Sequence, residues 1–355
     1  MKTMEQKRLD YLDSAKAIAL LFVIYGHTFR DSMRAASAWC DLSYIFVYRF
    51  HVSLLFLISG MGYALSASRH STSSPAQYLQ KKAHSLLLPW FSYSVLIYLL
   101  FALVQLIPAF RSFLSSSSYR LISPFAYAIA LLRNENPYSF HLWYLQTLFL
   151  FIAVTYLIDH FLSQKSARRI KIVLILLLPA FYMFFCQSWI WTFKGFFQKY
   201  FFFLLGTLLS PQIVERHARF IALSGVLSLL YLLAELFYPP ADVLYENVFT
   251  SLPLTYLDNL AIIGFCLGIL AFCILFREKL QWAAAFGQDT MLYYLYHQPF
   301  CCAVFSMILY DKLHIPALAT VLLCMIASLL IPYLFRSIVR RLGLVNILET
   351  IGLPA

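Results

Sequence analysis

The chain has 355 residues, 61% of them hydrophobic and only 12% charged, with an aromatic share of 18% and a formal net charge of +11. Soluble domains carry about a quarter charged residues, so no single aqueous core can hide this much apolar surface, and lipid is the solvent to which the sequence is matched. The basic excess does not point to a nucleic-acid partner. Lys and Arg fall in short polar gaps between apolar runs, where they encode membrane orientation.

A helix needs about 20 predominantly apolar residues to cross a bilayer. In chain order such runs fall near residues 15–32, 45–67, 85–107, 141–161, 171–190, 196–210, 220–238, 253–276, 290–310 and 316–336. The first is approached by Lys2, Lys7 and Arg8, and Ala36–Ala38 resembles a cleavage site, as in a signal peptide. Lys16 interrupts its apolar region, however, and Arg30, Asp31 and Arg34 crowd the stretch before that site, so a retained first span is expected. A piece at 121–132, after the run Ser115–Ser118, is too short to cross and reads as an interfacial or re-entrant helix. The sixth run is the weakest, being short, flanked by Lys194 and containing Lys199 and Gly206. The Ser-rich stretch 71–74 is a loop signal.

With the N-terminus on the cytoplasmic side, seventeen basic residues lie inside, including Lys81, Lys82, Lys165, Arg168, Arg169 and Lys171. Nine lie outside: Arg30, Arg34, Arg49, Arg111, Arg120, Arg133, Lys194, Lys199 and Lys312. The positive-inside bias therefore predicts an all-α polytopic bundle of about ten spans with both termini cytoplasmic. No fixed-period repeat or separable soluble segment is evident, so residues 1–355 read as one integral-membrane domain. The seven cysteines form no C-x-x-C pair, and five fall in apolar stretches where a thiol serves as a small hydrophobe. A Cys40–Cys186 disulfide is conceivable on composition alone.

Ionisable side chains within a bilayer are costly and mark functional sites by default. His27 and His51 sit in the first two spans, with Lys16 upstream. At about 100° per residue, eleven residues bring Lys16 and His27 to within about 20° of one helix face, about 16 Å apart along the axis. Asp13 falls about 40° from the same stripe. Such a face must point into the bundle or a wet cavity. The structural alternatives are a His27 bonded to a backbone carbonyl, an interfacial His51, and a Lys16 that snorkels to the headgroups. A metal site is not expected, because no carboxylate or third histidine stands at ligand spacing.

The residues from Arg8 to Ala19, followed by Tyr25–His27 and then Phe50–Gly60, resemble the opening of the membrane-bound acyltransferase-3 family. Members carry a basic residue ten intervening positions before a Gly-His histidine, the pattern of Lys16 and His27. Later stretches are similar to further family segments: Lys81–Trp90, His141–Gln146, Phe203–Gly206 and Phe286–His297. Ala17, Leu55 and Thr290 depart from the family's usual glycine, phenylalanine and serine, and none of the three is a titratable group.

The resemblance implies transfer of an acyl group, most often acetyl from acetyl-CoA, to a hydroxyl of a sugar or glycolipid in a bacterial cytoplasmic membrane. No tightly bound cofactor is expected, since acyl-CoA is a substrate. His27 would be the general base, a role in which a histidine contributes about 10²–10⁴-fold, and His51 would orient it or position a substrate. Lys16, Lys81 and Lys82 would attract the polyanionic donor, although the latter two fit a purely topological role equally well. Asp13, Arg49, Trp143, Gln146 and His297 are further candidates for contacting substrate. Trp143 suits an interfacial anchor as well, His297 a core position beside Pro299, and Arg49 a solvated loop charge. The rival reading is a proton-coupled transporter of a glycan or small solute, with the histidines as a relay. The paired broken helices of many transporters are not visible.

Overall fold

The computed structural model describes residues 9–66, 74–108, 110–111, 119–185, 191–239 and 248–354. Lys2, Lys7, Arg8, Arg69, residues 71–73, the run Ser115–Ser118 and Cys186 lie outside the described residues. Among those described, every regular element is helical. In chain order they are α1 (Asp10–Thr28), α2 (Asp31–Ala36), α3 (Ala38–Ser66), α4 (Pro75–Val104), α5 (Pro124–Leu132), α6 (Trp143–Phe161), α7 (Gln164–Phe185), α8 (Trp191–Leu208) and α9 (Pro211–Arg216). There follow α10 (Ala218–Phe237), α11 (Val248–Leu275), α12 (Gln281–Gln288) and α13 (Thr290–Tyr296). Two π-helical stretches come next, His297–Val304 and Met307–Lys312, and then α14 (Ala317–Arg341) and α15 (Val345–Thr350).

Six helices among the described residues are long and apolar enough to cross a membrane: Ala38–Ser66, Pro75–Val104, Phe140–Phe161, Ala218–Phe237, Thr250–Leu275 and Ala317–Arg341. The protein is a multi-pass membrane protein. The other four apolar runs are weakened by charge or by a break. Helix α1 carries Asp10, Asp13 and Lys16, α7 opens on Lys165, Arg168, Arg169 and Lys171, and α8 contains Lys194 and Lys199. The run at 290–310 is not one helix. Gln298 is extended (φ −119°, ψ 149°), as the residue before a proline is driven to be, and Pro299 splits the segment there.

Two other boundaries differ from the sequence reading. Helix α1 stops at Thr28 rather than near 32, because the chain turns through extended Phe29 to place Arg30 and Ser32 on Asp311, at 2.7 and 2.6 Å. Helix α3 starts at Ala38 rather than near 45, its polar first turns accommodated by an Asp41–Arg34 pair at 2.9 Å. The short piece near 121–132 is a short helix, α5, capped by Ser123 on the Ala126 amide at 3.2 Å with Pro124 at its first position, a favoured start. Ser74 and Gln77 form a reciprocal capping box at the head of α4.

The chain divides into two compact units. The first comprises Met1–Leu65, Phe202–Tyr294 and Phe305–Met325. In it α1 packs on α12 and α11, and α10 pairs along α11. Glycines allow the closest approaches. A methyl group on Gly60 would collide with the Phe203 carbonyl oxygen, and one on Gly206 with the Leu57 carbonyl oxygen, so α3 and the end of α8 touch backbone to backbone. Gly287 of α12 sits in the same way against the Asp13 carbonyl of α1.

The second unit comprises Ser66–Phe201, Leu295–Val304 and Ile326–Ala355. Its centre is the pairing of α4 with α6. The segment around α5 is held to α4 by aromatic rings, with Tyr98 stacked on Tyr127 at 4.6 Å and Phe101 on Tyr138 at 4.9 Å. Its backbone is satisfied from side chains: the Asn136 amide oxygen accepts from the Tyr138 and Ser139 amides at 3.0 and 3.1 Å. Such pairing is what a bilayer demands of non-helical backbone.

The glycine contacts make a direct stability prediction. Gly60→Ala forces two backbones apart and is expected to destabilise the protein by about 1–3 kcal/mol. Gly62→Ala, on the same helix but with no atom within 4 Å of the added methyl, is expected to leave stability unchanged. Thermal unfolding of the two variants in detergent, followed by size-exclusion chromatography, separates these outcomes.

Candidate functional site

Five of the sequence-predicted site residues lie in the first unit: Asp13, Lys16, His27, Arg49 and His51. His27 stands at the last turn of α1 and His51 at the middle of α3, where it is buried. His51 therefore lies about halfway along a 29-residue helix rather than at its end. Between the two rings stands Tyr48, which the sequence reading passed over. Its hydroxyl lies 3.3 Å from His27 Nδ1, and its ring meets the His51 ring edge-on at 4.9 Å. His51 Nδ1 lies 2.6 Å from the Val47 carbonyl oxygen. A carbonyl only accepts, so the His51 proton is on Nδ1 and the neutral ring carries its lone pair on Nε2.

Lys16 does not reach toward His27. Its ammonium bonds Asp13 Oδ1 at 3.0 Å, one turn back on α1, with Asp13 buried and Lys16 about one-third exposed. The shared face of α1 is thus an internal ion pair at one end and a histidine at the other. Arg49 is also occupied. Its guanidinium pairs with Glu235 of α10, whose side chain is 4% exposed. Nearby, Tyr231 donates to Asp258 Oδ1 at 3.3 Å, linking α10 to α11. Glu235, a carboxylate in an apolar run, was legible as a site of interest from its position alone.

The other five sequence-predicted residues lie in the second unit. Lys81 and Lys82 occupy the second turn of α4, Lys81 exposed and Lys82 half-buried with its ammonium 5.6 Å from the Tyr78 ring. Trp143 and Gln146 sit on successive turns of α6. Gly195 leaves room for the Trp143 ring, which a methyl there would approach to 3.2 Å. His297 is fully buried and its ring packs edge-on against His141 at 5.0 Å. Tyr93 completes that group, 6.3 Å from the His141 ring and donating its hydroxyl to the Gln298 carbonyl at 2.5 Å. His141 was within a stretch the sequence reading quoted, yet it was not singled out there.

The first unit therefore places two histidines around one tyrosine, and the second packs a histidine pair whose His141 meets another tyrosine. Among the described residues no group of three or more His, Cys, Asp or Glu is assembled for a metal ion. What the His27–Tyr48–His51 arrangement can do is accept a proton from a hydroxyl and return it, which is general acid–base chemistry.

Comparison with known proteins agrees with the resemblance of the motifs. The acyltransferase-3 family model, described as an acyltransferase domain, matches residues 9–337. No curated protein and no solved structure matched the chain.

The Arg49–Glu235 pair is testable by itself. Glu235→Leu removes the carboxylate that pairs directly with the Arg49 guanidinium and leaves it only the more distant Asp258, and breaking such a pair costs about 3–5 kcal/mol when both groups are buried. A loss near 3 kcal/mol is expected, because Arg49 keeps 26% of its side chain exposed. The double variant Arg49→Leu/Glu235→Leu is expected to recover most of that loss, since the guanidinium is no longer left without its direct partner. Thermal melts of the single and double variants in detergent decide this, and a double variant no more stable than Glu235→Leu would refute it.

Proposed function

We propose, because the chain belongs to the membrane-bound acyltransferase-3 family, that this acyltransferase moves an acyl group from cytoplasmic acyl-CoA to a hydroxyl of a glycan or glycolipid. The observation that supports the reading is the arrangement of His27 and His51 on either side of Tyr48 in the first unit. Acetyl is the proposed acyl group and acetyl-CoA the donor, with the bacterial cytoplasmic membrane as the setting.

In this reading His27 is the general base. The acceptor hydroxyl gives its proton to an imidazole nitrogen as its oxygen attacks the thioester carbon. The tetrahedral intermediate then collapses, the carbon–sulfur bond breaks, and the CoA thiolate takes the proton from the imidazolium. The products are an ester and free CoA thiol, with His27 restored. A histidine in this role contributes about 10²–10⁴-fold, and His51 would hold a reactant against it.

Lys81 and Lys82 support a cytoplasmic route for the donor, since ammonium groups near the start of α4, that of Lys81 exposed and that of Lys82 half-buried, attract polyphosphate. Lys16 is proposed to assist while it remains paired with Asp13. Both termini are proposed to be cytoplasmic, following the positive-inside bias of the loops. Arg49 is proposed to face the acceptor side through the exposed part of its side chain, and Trp143, Gln146 and His297 to line the second unit's own polar interior.

The test is label transfer. Membranes containing the protein are incubated with radiolabelled acetyl-CoA and the host glycan fraction, wild type beside His27→Ala at equal protein level. Transfer by wild type that falls at least a hundredfold in His27→Ala is the expected result. Label retained in the variant would remove His27 as base and move the search to His51. A wild type that labels no fraction would remove acetyl-CoA as donor and favour transport.

A further inference from the structure

We propose that Tyr48 is the positioning residue of His27, selecting which imidazole nitrogen carries the lone pair; the proposal rests on the reading of His27 as base. Five observations on the first unit converge on this tyrosine. Its hydroxyl is within hydrogen-bond distance of His27 Nδ1, at 3.3 Å. The residue before His27 is Gly26, and a methyl group there would stand 3.1 Å from Tyr48 Cε2, so the glycine makes room for the ring. The Tyr48 ring stacks on Tyr44 at 4.0 Å with the planes 30° apart. The Arg34 guanidinium lies 3.9 Å from the centre of the Tyr44 ring, at a distance typical of a cation–π contact. Arg34 in turn is held by Asp41 at 2.9 Å and by Asp31 at 3.2 Å.

Tyr48 is therefore clamped from behind by Tyr44, Arg34 and Asp41, while its front edge touches both histidines. A hydrogen bond between a phenol and Nδ1 has two polarities. If the phenol donated, the His27 proton would sit on Nε2, and that nitrogen would have no lone pair for a substrate proton. If the phenol accepts from Nδ1–H, the lone pair is on Nε2. The second polarity also matches His51, whose Nδ1 proton goes to the Val47 carbonyl. Both histidines then present the same nitrogen. This is the service a second group performs for a catalytic imidazole elsewhere, fixing tautomer and ring orientation, supplied here by a neutral phenol.

The experiment uses the full-length protein in lipid nanodiscs with ¹⁵N-labelled histidine. Solid-state NMR reads the tautomer of His27, its signal assigned by its loss in His27→Asn. Tyr48→Phe keeps the aromatic stack and removes the oxygen. The expected result is a shift of His27 away from the Nδ1–H form, with kcat for acetyl transfer from acetyl-CoA lowered about three- to tenfold, the value of one neutral hydrogen bond. The KM for acetyl-CoA should stay within twofold of wild type, which general loosening of the fold would not preserve. Arg34→Gln, which releases the clamp without touching either histidine, provides a second variant if Tyr48→Phe does not accumulate, and should lower kcat in the same direction. A wild-type tautomer and wild-type kcat in Tyr48→Phe, or an unchanged kcat in Arg34→Gln, would overturn the proposal. If His27→Ala still transfers acetyl, the base reading fails, while the NMR result continues to decide whether Tyr48 sets the ring.

Discussion

A formal charge within hydrocarbon costs several kcal/mol unless a partner accompanies it, and three ion pairs among the described residues, each with one largely buried member, meet that constraint. Asp13 holds Lys16 at 3.0 Å along α1, Glu235 holds Arg49 between α3 and α10, and Asp159 holds Lys171 at 2.7 Å between α6 and α7. The last two tie together helices that must otherwise rely on packing, since apolar side chains gain little by leaving lipid for protein. The pairs also account for where charge is tolerated. Lys171, which composition alone would assign to a cytoplasmic loop, is 6% exposed because α7 carries it against α6. Arg49, which could equally have been a solvated loop charge, is fixed on a buried carboxylate instead.

The second organising force is close backbone approach. Two stretches that carry the family resemblance, Ile58–Gly60 and Phe203–Gly206, are 143 and more residues apart in sequence at their nearest ends, yet they meet at Gly60 and Gly206. A third, Phe286–Gly287, seats its glycine on the Asp13 carbonyl, beneath the Lys16 pair. Small residues at such crossings let helices approach until dispersion and weak polar contacts replace the missing hydrophobic drive. The motifs are therefore largely packing motifs, and they position the helices that bear the titratable groups. Gly26 combines both roles, since its missing side chain is what admits Tyr48 beside His27.

The helical class, the membrane environment and both N-terminal histidines were legible because each depends on a local signal. Long apolar runs give spans, and an ionisable residue inside one stands out against its neighbours. Helix ends were less legible. The turn at Phe29 and the early start at Ala38 depend on Asp311 and Asp41 drawing Arg30 and Arg34, and a pairing across 281 residues leaves no local trace. Tyr48 was obscured by number, as one of 24 tyrosines. Its position three residues before His51, on the same helix face, was the one clue. The break at Gln298 was open to prediction from Pro299, but the apolar content of the run outweighed it. His141 needed His297 beside it to be noticed, and no spacing rule connects the two.

The partners of the two N-terminal histidines have a further consequence. In soluble acyl-transfer sites the imidazole is commonly oriented by a carboxylate, which stabilises the imidazolium that forms as the proton moves. A carboxylate in that position within a bilayer would add a permanent charge, with its own need for a counter-ion, and the three ion pairs already show how fully such charges are matched. Here the two rings are held by a phenol and a backbone carbonyl, neither of which adds a charge. In the proposed reaction the imidazolium exists only between loss of the acceptor proton and its delivery to the thiolate, so positive and negative charge appear and vanish together. Orientation by neutral groups suits a low-dielectric site: a phenol and a carbonyl aim a ring and set its tautomer without adding a charge to the transient pair that the chemistry itself creates.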